Sequence, residues 1–194
     1  MRALIVAAAL AASGAAYAEP VAYTLDPAHT QVAFSIERFG FNRVLGRFEN
    51  VTGEMVIDEA NPANSSVHAT IQVGSVDTGN DTRDEHLRGE RWLNATANPT
   101  IDFRSTAVRL TGEHTAEVTG NLTLLGQMHP VTLNVTLNNI GGTPNAPQRR
   151  QAGFSATGSL TRSAWGSTGA QGPTMIGDAV AITIEALAVP AATN

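Results

Sequence analysis

The side chains best suited to chemistry are concentrated in one stretch, from Val76 to Phe103. The chain has only 15% charged residues, yet this stretch gathers several carboxylates, arginines, a histidine and a tryptophan. Within it, His86 stands next to Arg83, Asp84 and Arg88, so it could act as a general acid or base beside an ion pair. The same four side chains could instead hold a loop by hydrogen bonding to its backbone, and we favour this structural lock.

The five histidines do not form a recognisable metal site. No two of them have the His-x-His or His-x-x-x-His spacing of a compact ligand pair, and His68 and His114 fall on predicted strand exteriors or turns. The chain has no cysteine and no Gly-x-Ser-x-Gly motif, which leaves nucleophilic catalysis with little support. We therefore expect no metal and no cofactor.

The segments on either side of this stretch are predicted to be β-strands. Apolar residues such as Val32, Phe34 and Ile36 share one parity and alternate with smaller or polar residues, which predicts a half-buried strand. The pattern recurs about eight or nine times with turn signals between the runs, which favours an all-β antiparallel barrel or sandwich. We prefer the barrel, because glycines inside several strands, such as Gly46 and Gly120, would suit bends at barrel corners.

A short helical segment around residues 82–95 interrupts the strands. Thr82 and Glu85 have the spacing of a capping box, which predicts a helix that begins at Thr82. Gly89 should break the segment into two short turns. The glycine-rich run Arg162–Asp178 is expected to be a long loop, a common location for binding residues.

Residues 1–18 have the features of a secretory signal peptide, namely a basic residue, a short apolar run and a small-residue end. The pattern predicts cleavage between Ala18 and Glu19 and a single domain over 19–194. The apolar run is shorter than the roughly 20 residues that span a bilayer, and no later run is longer, so we expect no stable membrane insertion.

Composition also bears on partners. The net charge is −5, and the basic residues do not form a cluster in the sequence. Nucleic acid and anionic membrane surfaces are therefore poor candidates as partners. Without cysteine there is no disulfide framework, so stability must come from an apolar core. The sequence leaves open whether two copies pair as a homodimer.

Several separated motifs resemble those of the YceI family of exported proteins. In chain order they are Tyr23-x-Leu-Asp26-x-x-His29-Thr30, Phe34-x-Ile-x-x-Phe-Gly40, Val44-x-Gly46-x-Phe48, Ser75-Val-Asp-Thr78 with Arg83-Asp84-x-His86-Leu87-Arg88, Asn98-Pro99-x-Ile-x-Phe103, Gly120-x-Leu-Thr123-Leu-x-Gly126 and Gly153-Phe154. The resemblance implies a lipocalin-like β-barrel that holds a long isoprenoid chain, such as a quinone tail. This chain departs from the family pattern at Arg38, where the family usually has histidine, and at His129, where it commonly has lysine.

The resemblance also changes how the apolar residues are interpreted. By pattern alone they would fill a core, whereas the resemblance implies a tunnel. The expected wall residues are Phe34, Ile36, Phe48, Met55, Ile71, Val73, Phe103, Leu122, Leu124, Leu133, Val135, Phe154 and Trp165. Leu87, Trp92 and Leu93 are expected to form the apolar underside of a cover on the barrel. Arg38 is either a donor to a lipid head group or a rim arginine.

The leading interpretation is a non-enzymatic protein that binds, stores or transports an isoprenoid lipid, a quinone or a polyprenyl chain, in the periplasm. One alternative is an enzyme that modifies or senses such a lipid through His86 and nearby carboxylates. A second alternative is a structural β-domain with no ligand.

Overall fold

A computed structural model describes residues 19–169 and 175–192. The predicted signal peptide and its last residue, Ala18, lie outside the described residues. The described strands and helix are β1 (Val21–Leu25), β2 (Gln31–Arg38), β3 (Asn42–Phe48), β4 (Val51–Ile57), β5 (Ser66–Gln72), β6 (Val76–Asp77), α1 (Asp81–Arg88), β7 (Thr100–Leu110), β8 (Thr115–Leu124), β9 (Gln127–Thr143), β10 (Ala146–Thr161) and β11 (Ile176–Pro190).

The strands form a closed antiparallel barrel. Neighbours in the sheet run β1-β4-β5-β7-β8-β9-β10-β11, and β11 pairs with β1 to close the ring of eight strands. Three of the eight positions in the ring are occupied by interrupted strands. β2 continues β1, β3 lies in line with β4, and β6 continues β5. Closure gives each of these eight strands a hydrogen-bonded neighbour on both sides. The predicted all-β barrel of about eight strands is confirmed.

The strands bend where short irregular segments interrupt them. A 3-10 turn at Val73–Ser75 separates β5 from β6. The adjacent interruption between β3 and β4 is tied to it, because the backbone amide of Asn50 donates to Ser75 Oγ at 3.1 Å and that of Glu49 donates to the Ser75 carbonyl at 3.1 Å. Neighbouring strands therefore bend together, and the barrel stays hydrogen bonded through the bend.

The strand glycines serve a purpose that the sequence pattern did not predict. A Cβ on Gly46 would lie 2.3 Å from the Phe34 ring, and a Cβ on Gly120 would lie 2.4 Å from the Phe103 ring. Gly46 lies inside β3, and Gly120 pairs with Ser105 beside a bulge in β7. These glycines make room for large rings in the interior, which is the alternation of small and large residues that fills a narrow barrel.

Helix α1 begins earlier than the capping box predicted. Asn80 is the N-cap, and its Oδ1 accepts from the Arg83 backbone amide at 3.0 Å, so Thr82 lies inside the helix. Asn80 has the extended backbone and side-chain oxygen of a good cap, one that the capping-box pattern did not identify. The helix ends at Gly89, as expected, and non-helical turns follow it. Among the described residues, no helix has the length and apolar character needed to cross a bilayer.

The two ends of the barrel differ. One end, here called the mouth, carries α1, the β2–β3 turn, the β8–β9 turn and the segment after β10. The opposite end carries the β4–β5, β7–β8 and β9–β10 connections. The predicted loop Arg162–Asp178 is shorter than expected, because a 3-10 turn occupies Arg162–Trp165 and β11 begins at Ile176; residues 170–174 lie outside the described residues.

Candidate functional site

The barrel interior has an accessible apolar side, here called the inner wall, formed by β2, β10 and β11. The register pairs Phe34 with Ile182, Val32 with Ile184 and Ile36 with Val180. These side chains are half-buried, while the alternate β11 residues are exposed on the outer face. The inner wall comprises Val32, Phe34, Ile36, Phe154, Leu160, Val180, Ile182 and Ile184. Its members keep part of their apolar surface available inside the barrel.

A packed core fills the rest of the interior and borders the inner wall. Phe103 and Leu122 pair across β7 and β8, and each is only 8% exposed. The buried members of the predicted tunnel are Phe48, Ile71, Val73, Phe103, Leu122, Leu124, Leu133 and Trp165. They present almost no surface to a ligand in this conformation. The half-buried members are Phe34, Ile36, Met55, Val135 and Phe154. The predicted list therefore divides between a core and an accessible wall.

Helix α1 is fastened to the chain that precedes it by Arg83 and Asp84. Arg83 Nε donates to Thr78 Oγ1 at 2.7 Å, and its Nη2 donates to the Thr78 carbonyl at 2.8 Å. Asp84 is only 4% exposed, and its Oδ1 accepts from the Thr78 amide at 3.0 Å and from Thr78 Oγ1 at 2.5 Å. A buried carboxylate needs such donors. Arg83 and Asp84 thus both form hydrogen bonds with Thr78.

Arg88 ties the other end of the helix to the interrupted strand. Its Nε donates to the Gly74 carbonyl at 3.0 Å, and its Nη2 donates to the Val76 carbonyl at 2.9 Å. His86 differs from its neighbours in the predicted lock. It is exposed, and in the described part of the chain its ring makes no hydrogen bond, so the structure gives it no part in the lock. The reason is helical periodicity, which directs His86 away from the face shared by Arg83, Asp84 and Leu87.

The predicted cover residues pack beneath and beside the helix. Leu87 and Leu93 are half-buried and pack against the core cluster. Trp92 is half-buried against the segment after β10, where a Cβ on Gly169 would lie 2.4 Å from its ring. The amide of Gly169 also donates to the Arg91 carbonyl at 2.8 Å. The chain around Trp92 and the segment after β10 therefore close the mouth together.

Arg162, which the sequence patterns did not single out, organises this second part of the mouth. It is 6% exposed, and its guanidinium donates to the carbonyls of Gly177 at 3.0 Å, of Ile176 at 3.1 Å and of Ser167. The guanidinium also lies 5.5 Å from the centre of the Trp92 ring. Only the fold brings these carbonyls together, so no local pattern could have revealed the role.

Trp165 belongs to the core rather than to a tunnel wall. It is 3% exposed, and its indole Nε1 donates to the Leu122 carbonyl at 3.1 Å. Its ring meets the His129 ring edge-on, with centroids 5.0 Å apart. His129 is the position where the family commonly has lysine, and here it serves as an aromatic packing partner.

Arg38 stands on the rim of the mouth and not within the apolar interior. It is the last residue of β2, it is exposed, and its guanidinium lies 4.5 Å from the centre of the Phe39 ring. Arg38 has the same parity as Ile36, which suggested a tunnel position. The chain turns immediately after Arg38, however, so its side chain lies at the rim. The rim interpretation of Arg38 fits this placement.

At the opposite end of the barrel, a second arginine that the sequence did not reveal links three segments. Arg150 Nε donates to the hydroxyl of Tyr23 at 3.1 Å, and its Nη2 forms an ion pair with Glu59. Tyr23 is 1% exposed, so its hydroxyl depends on this partner. Arg150 thus joins β10, β1 and the β4–β5 connection.

A polar cluster on the outer face is separate from the interior. Asp102 accepts from Thr70 Oγ1 at 2.8 Å and Thr100 Oγ1 at 3.0 Å, and His68 lies 3.5 Å away. Partial burial opposes ionisation, but the hydrogen bonds from these residues outweigh it and hold the pKa of Asp102 below its usual range. Within 19–169 and 175–192, no group of three or more histidine or acidic side chains is arranged to hold a metal ion.

Comparison with known proteins places the barrel among relatives. The family model described as the YceI-like domain matches residues 23–188. A UPF0312 protein of Pseudomonas aeruginosa is 38% identical over 160 residues, which cover 82% of each chain. The protein YceI of Salmonella arizonae is 37% identical over 154 residues, which cover 79% of each chain.

Solved structures share the architecture. BcnA of Burkholderia cenocepacia is 25% identical with a TM-score of 0.74, and the match covers 84% of this chain and 98% of BcnA. A polyisoprenoid binding domain from Saccharophagus degradans, implicated in plant cell wall breakdown, has a TM-score of 0.63 over 88% of this chain and 99% of that domain. The latter is only 16% identical, so its likeness shows the fold alone.

Proposed function

This chain belongs to the YceI-like domain family, and from that membership and the geometry of the barrel we propose that it binds an isoprenoid lipid in its interior. The observation that carries the proposal is the inner wall, a continuous half-buried apolar surface inside a closed barrel. The ligand named for the Saccharophagus degradans domain supports the same class of ligand. The ligand would lie along β2, β10 and β11, beside the packed core.

Hydrophobic burial is sufficient to hold such a ligand. Burial of one methylene contributes about 0.8 kcal/mol. The hydrophobic free energy of burying a tail of several five-carbon units would therefore exceed the practical ceiling of about 20 kcal/mol for non-covalent affinity. Ordering of the tail and incomplete burial reduce this free energy. A quinone or a polyprenyl chain would both meet this requirement, and polar groups at the mouth would set their orientation.

The proposed role is storage or transport without catalysis, in the periplasm. It is supported by the placement of His86, the predicted acid or base, which is exposed on the outer side of α1 rather than directed towards the inner wall. Periplasmic location is proposed from the signal-peptide features of residues 1–18. Sequencing the N-terminus of protein from a periplasmic extract of the native host should then start at Glu19. An intact Met1 in the cytoplasmic fraction would contradict the location.

The ligand can be identified on protein purified from its native host without detergent. Lipid extraction followed by mass spectrometry should recover about one isoprenoid lipid per barrel. The purified protein is then incubated with that lipid, and recovery of the lipid unchanged supports a carrier. Chemical conversion of the lipid would support an enzyme instead. Absence of any isoprenoid from native protein and from protein mixed with ubiquinone would overturn the proposal.

A further inference from the structure

The β2–β3 turn carries an exposed aromatic tip at the mouth. Phe39 and Gly40 occupy the turn, with φ of 54° and 71°, and the amide of Phe41 donates to the Arg38 carbonyl at 3.1 Å. Phe41 is 90% exposed and Phe39 is 37% exposed. We call Phe39 and Phe41 the aromatic tip. A phenylalanine so exposed contributes little to folding, because folding removes almost none of its surface from water.

The backbone conformation of Phe39 indicates that stability alone does not explain the phenylalanine at this position of the turn. Two consecutive positive φ angles are typical of hairpin turns that favour asparagine or aspartate followed by glycine. An aromatic residue in the left-handed region is unfavourable relative to those residues. The chain nevertheless has phenylalanine at both Phe39 and Phe41. Such strained residues often lie at functional sites.

The neighbours of the tip add apolar surface and positive charge. The Met175 carbonyl accepts from the Phe39 amide at 2.9 Å, and Met175 is 37% exposed. Leu45 is 68% exposed on β3. Arg38 lies over the Phe39 ring. Arg43 on β3 is exposed, pairs with Glu37 across the hairpin, and donates to Ser35 Oγ at 3.0 Å and to the Ser35 carbonyl at 2.8 Å. The carboxylate of Glu37 accepts from the Gly40 amide within the turn. Two arginines and one glutamate thus leave one net positive charge next to the tip, with Arg38 in contact with its rings.

The position of the tip relates it to the inner wall. Strand β2 runs from Val32 through Ile36 of the inner wall directly into the tip, and β11 begins beside it at Ile176, which pairs with Arg38. Leu87 and Leu93 of the cover pack against the core cluster. The inner wall leads along β2 and β11 to the tip.

We infer that the aromatic tip docks the mouth of the barrel onto a lipid bilayer, with Phe39 and Phe41 at the headgroup boundary and Arg38 beside the lipid phosphates. Apolar or aromatic side chains flanked by basic ones are the pattern that holds proteins at this boundary. The whole chain carries a net charge of −5, which opposes broad contact with an anionic surface and confines the contact to the tip.

A bilayer fits this surface better than a protein does. A protein interface needs a broad patch of about 800 Å² on each partner, whereas the tip is a narrow turn with one almost fully exposed ring. The inference deepens the proposed function, because docking would let an isoprenoid lipid pass between the membrane and the inner wall. It can be tested without that ligand.

The test uses vesicles of phosphatidylethanolamine and phosphatidylglycerol, at about three to one, that contain no isoprenoid. We expect wild-type protein to float with the vesicles and the vesicle partition coefficient of Phe41→Ser to fall at least about tenfold, because loss of one buried ring is of that order. The matched control is Leu110→Ser, which removes an apolar residue that is 49% exposed at the opposite end. It should bind as wild type does.

A second measurement reports where the tip lies. With acyl chains brominated, the additional fluorescence of Phe41→Trp should be quenched, and that of Leu110→Trp should not. Three outcomes would each overturn the inference. They are equal vesicle binding by wild type and Phe41→Ser, equal quenching of the two tryptophan variants, and no vesicle binding by wild type. So would a wild-type dimer that becomes monomeric in Phe41→Ser, because a second copy would then cover the tip. Absence of vesicle binding by wild-type protein that still retains an isoprenoid would overturn docking and leave the proposed function standing.

Discussion

Individual residues decide which parts of the interior are filled. Gly120 leaves space for the Phe103 ring, and Phe103 then belongs to the packed core. Val135 lies on the same inward parity of the barrel, yet it is half-buried and is paired with Ala116 and Ala156. Beside these small neighbours, part of the Val135 side chain stays accessible. A larger residue at this position should therefore compete directly with a ligand.

Replacement of Val135 by tryptophan tests the interior at the scale of one residue. The indole should occupy ligand space and lower isoprenoid occupancy at least about tenfold, while overpacking costs about 1–3 kcal/mol of unfolding free energy. Occupancy is measured by lipid mass spectrometry and stability by urea unfolding. The matched control is Thr136→Trp, on the exposed outer face of the same strand. Equal occupancy in the two variants would show that the ligand does not pass Val135.

At the scale of elements, the mouth is built from two segments with separate anchors. Helix α1 is held by Arg83, Asp84 and Arg88, which bond to the chain before it. The segment after β10 is held by Arg162 through three carbonyl groups. Trp92 packs between the segments. The polar anchors place the helix, while the apolar contacts of Leu87 and Leu93 hold it against the barrel.

Replacement of Leu87 by aspartate tests whether α1 acts as a cover. A charge on the apolar underside should detach the helix, because burial of an unpaired carboxylate is unfavourable. Isoprenoid occupancy should fall while the β-sheet circular dichroism signal remains. The control is His86→Asp, which places the same charge on the exposed side. Loss of the sheet signal in Leu87→Asp alone would identify α1 as part of the core, contrary to the cover interpretation.

At the scale of the whole molecule, two carboxylates whose pKa is lowered in the folded state contribute to the stability of the barrel. The hydrogen bond from the Ser163 side chain is the main cause that holds the pKa of Asp178 below its usual range, against the effect of burial. This pair joins the segment after β10 to β11. The pKa of Asp102 is also lowered, because the threonine and histidine hydrogen bonds outweigh burial, and Asp102 lies where β7 meets β5. Both groups therefore support the folded barrel while they are ionised.

Acidification should therefore destabilise the protein. A carboxylate whose pKa is lowered by folding contributes its stabilisation above its unfolded pKa of 3.8, and that stabilisation is lost as the pH falls through the lower folded pKa. Melting temperature should be level between about pH 7 and 5 and should fall below about pH 4. Asp102→Asn should reduce the slope, whereas Glu113→Gln on an exposed turn should not. An unchanged slope in Asp102→Asn would contradict this account.

Local sequence accounts for some turns and not for others. Leu125 and Gly126, between β8 and β9, form a turn with positive φ at both residues. Residues 141–147 contain two glycines and two prolines, which favour a wide turn. The turn there is narrower, because β9 continues to Thr143 and β10 starts at Ala146. Strand pairing extends the two strands through residues whose types suit a turn, so tertiary contacts override local preference there.

By itself, the amino-acid sequence determined the strand pattern, the inward parity and the end of α1 at Gly89, because these follow from the repeat of the backbone and from the properties of neighbouring residues. Only the tertiary structure decided which inward residues are packed and which remain accessible, the rim position of Arg38, and the partners of Arg150 and Arg162. Those outcomes depend on contacts between distant residues, such as Arg150 with Tyr23 and Trp165 with Leu122. Barrel closure creates these contacts, and no local pattern specifies them.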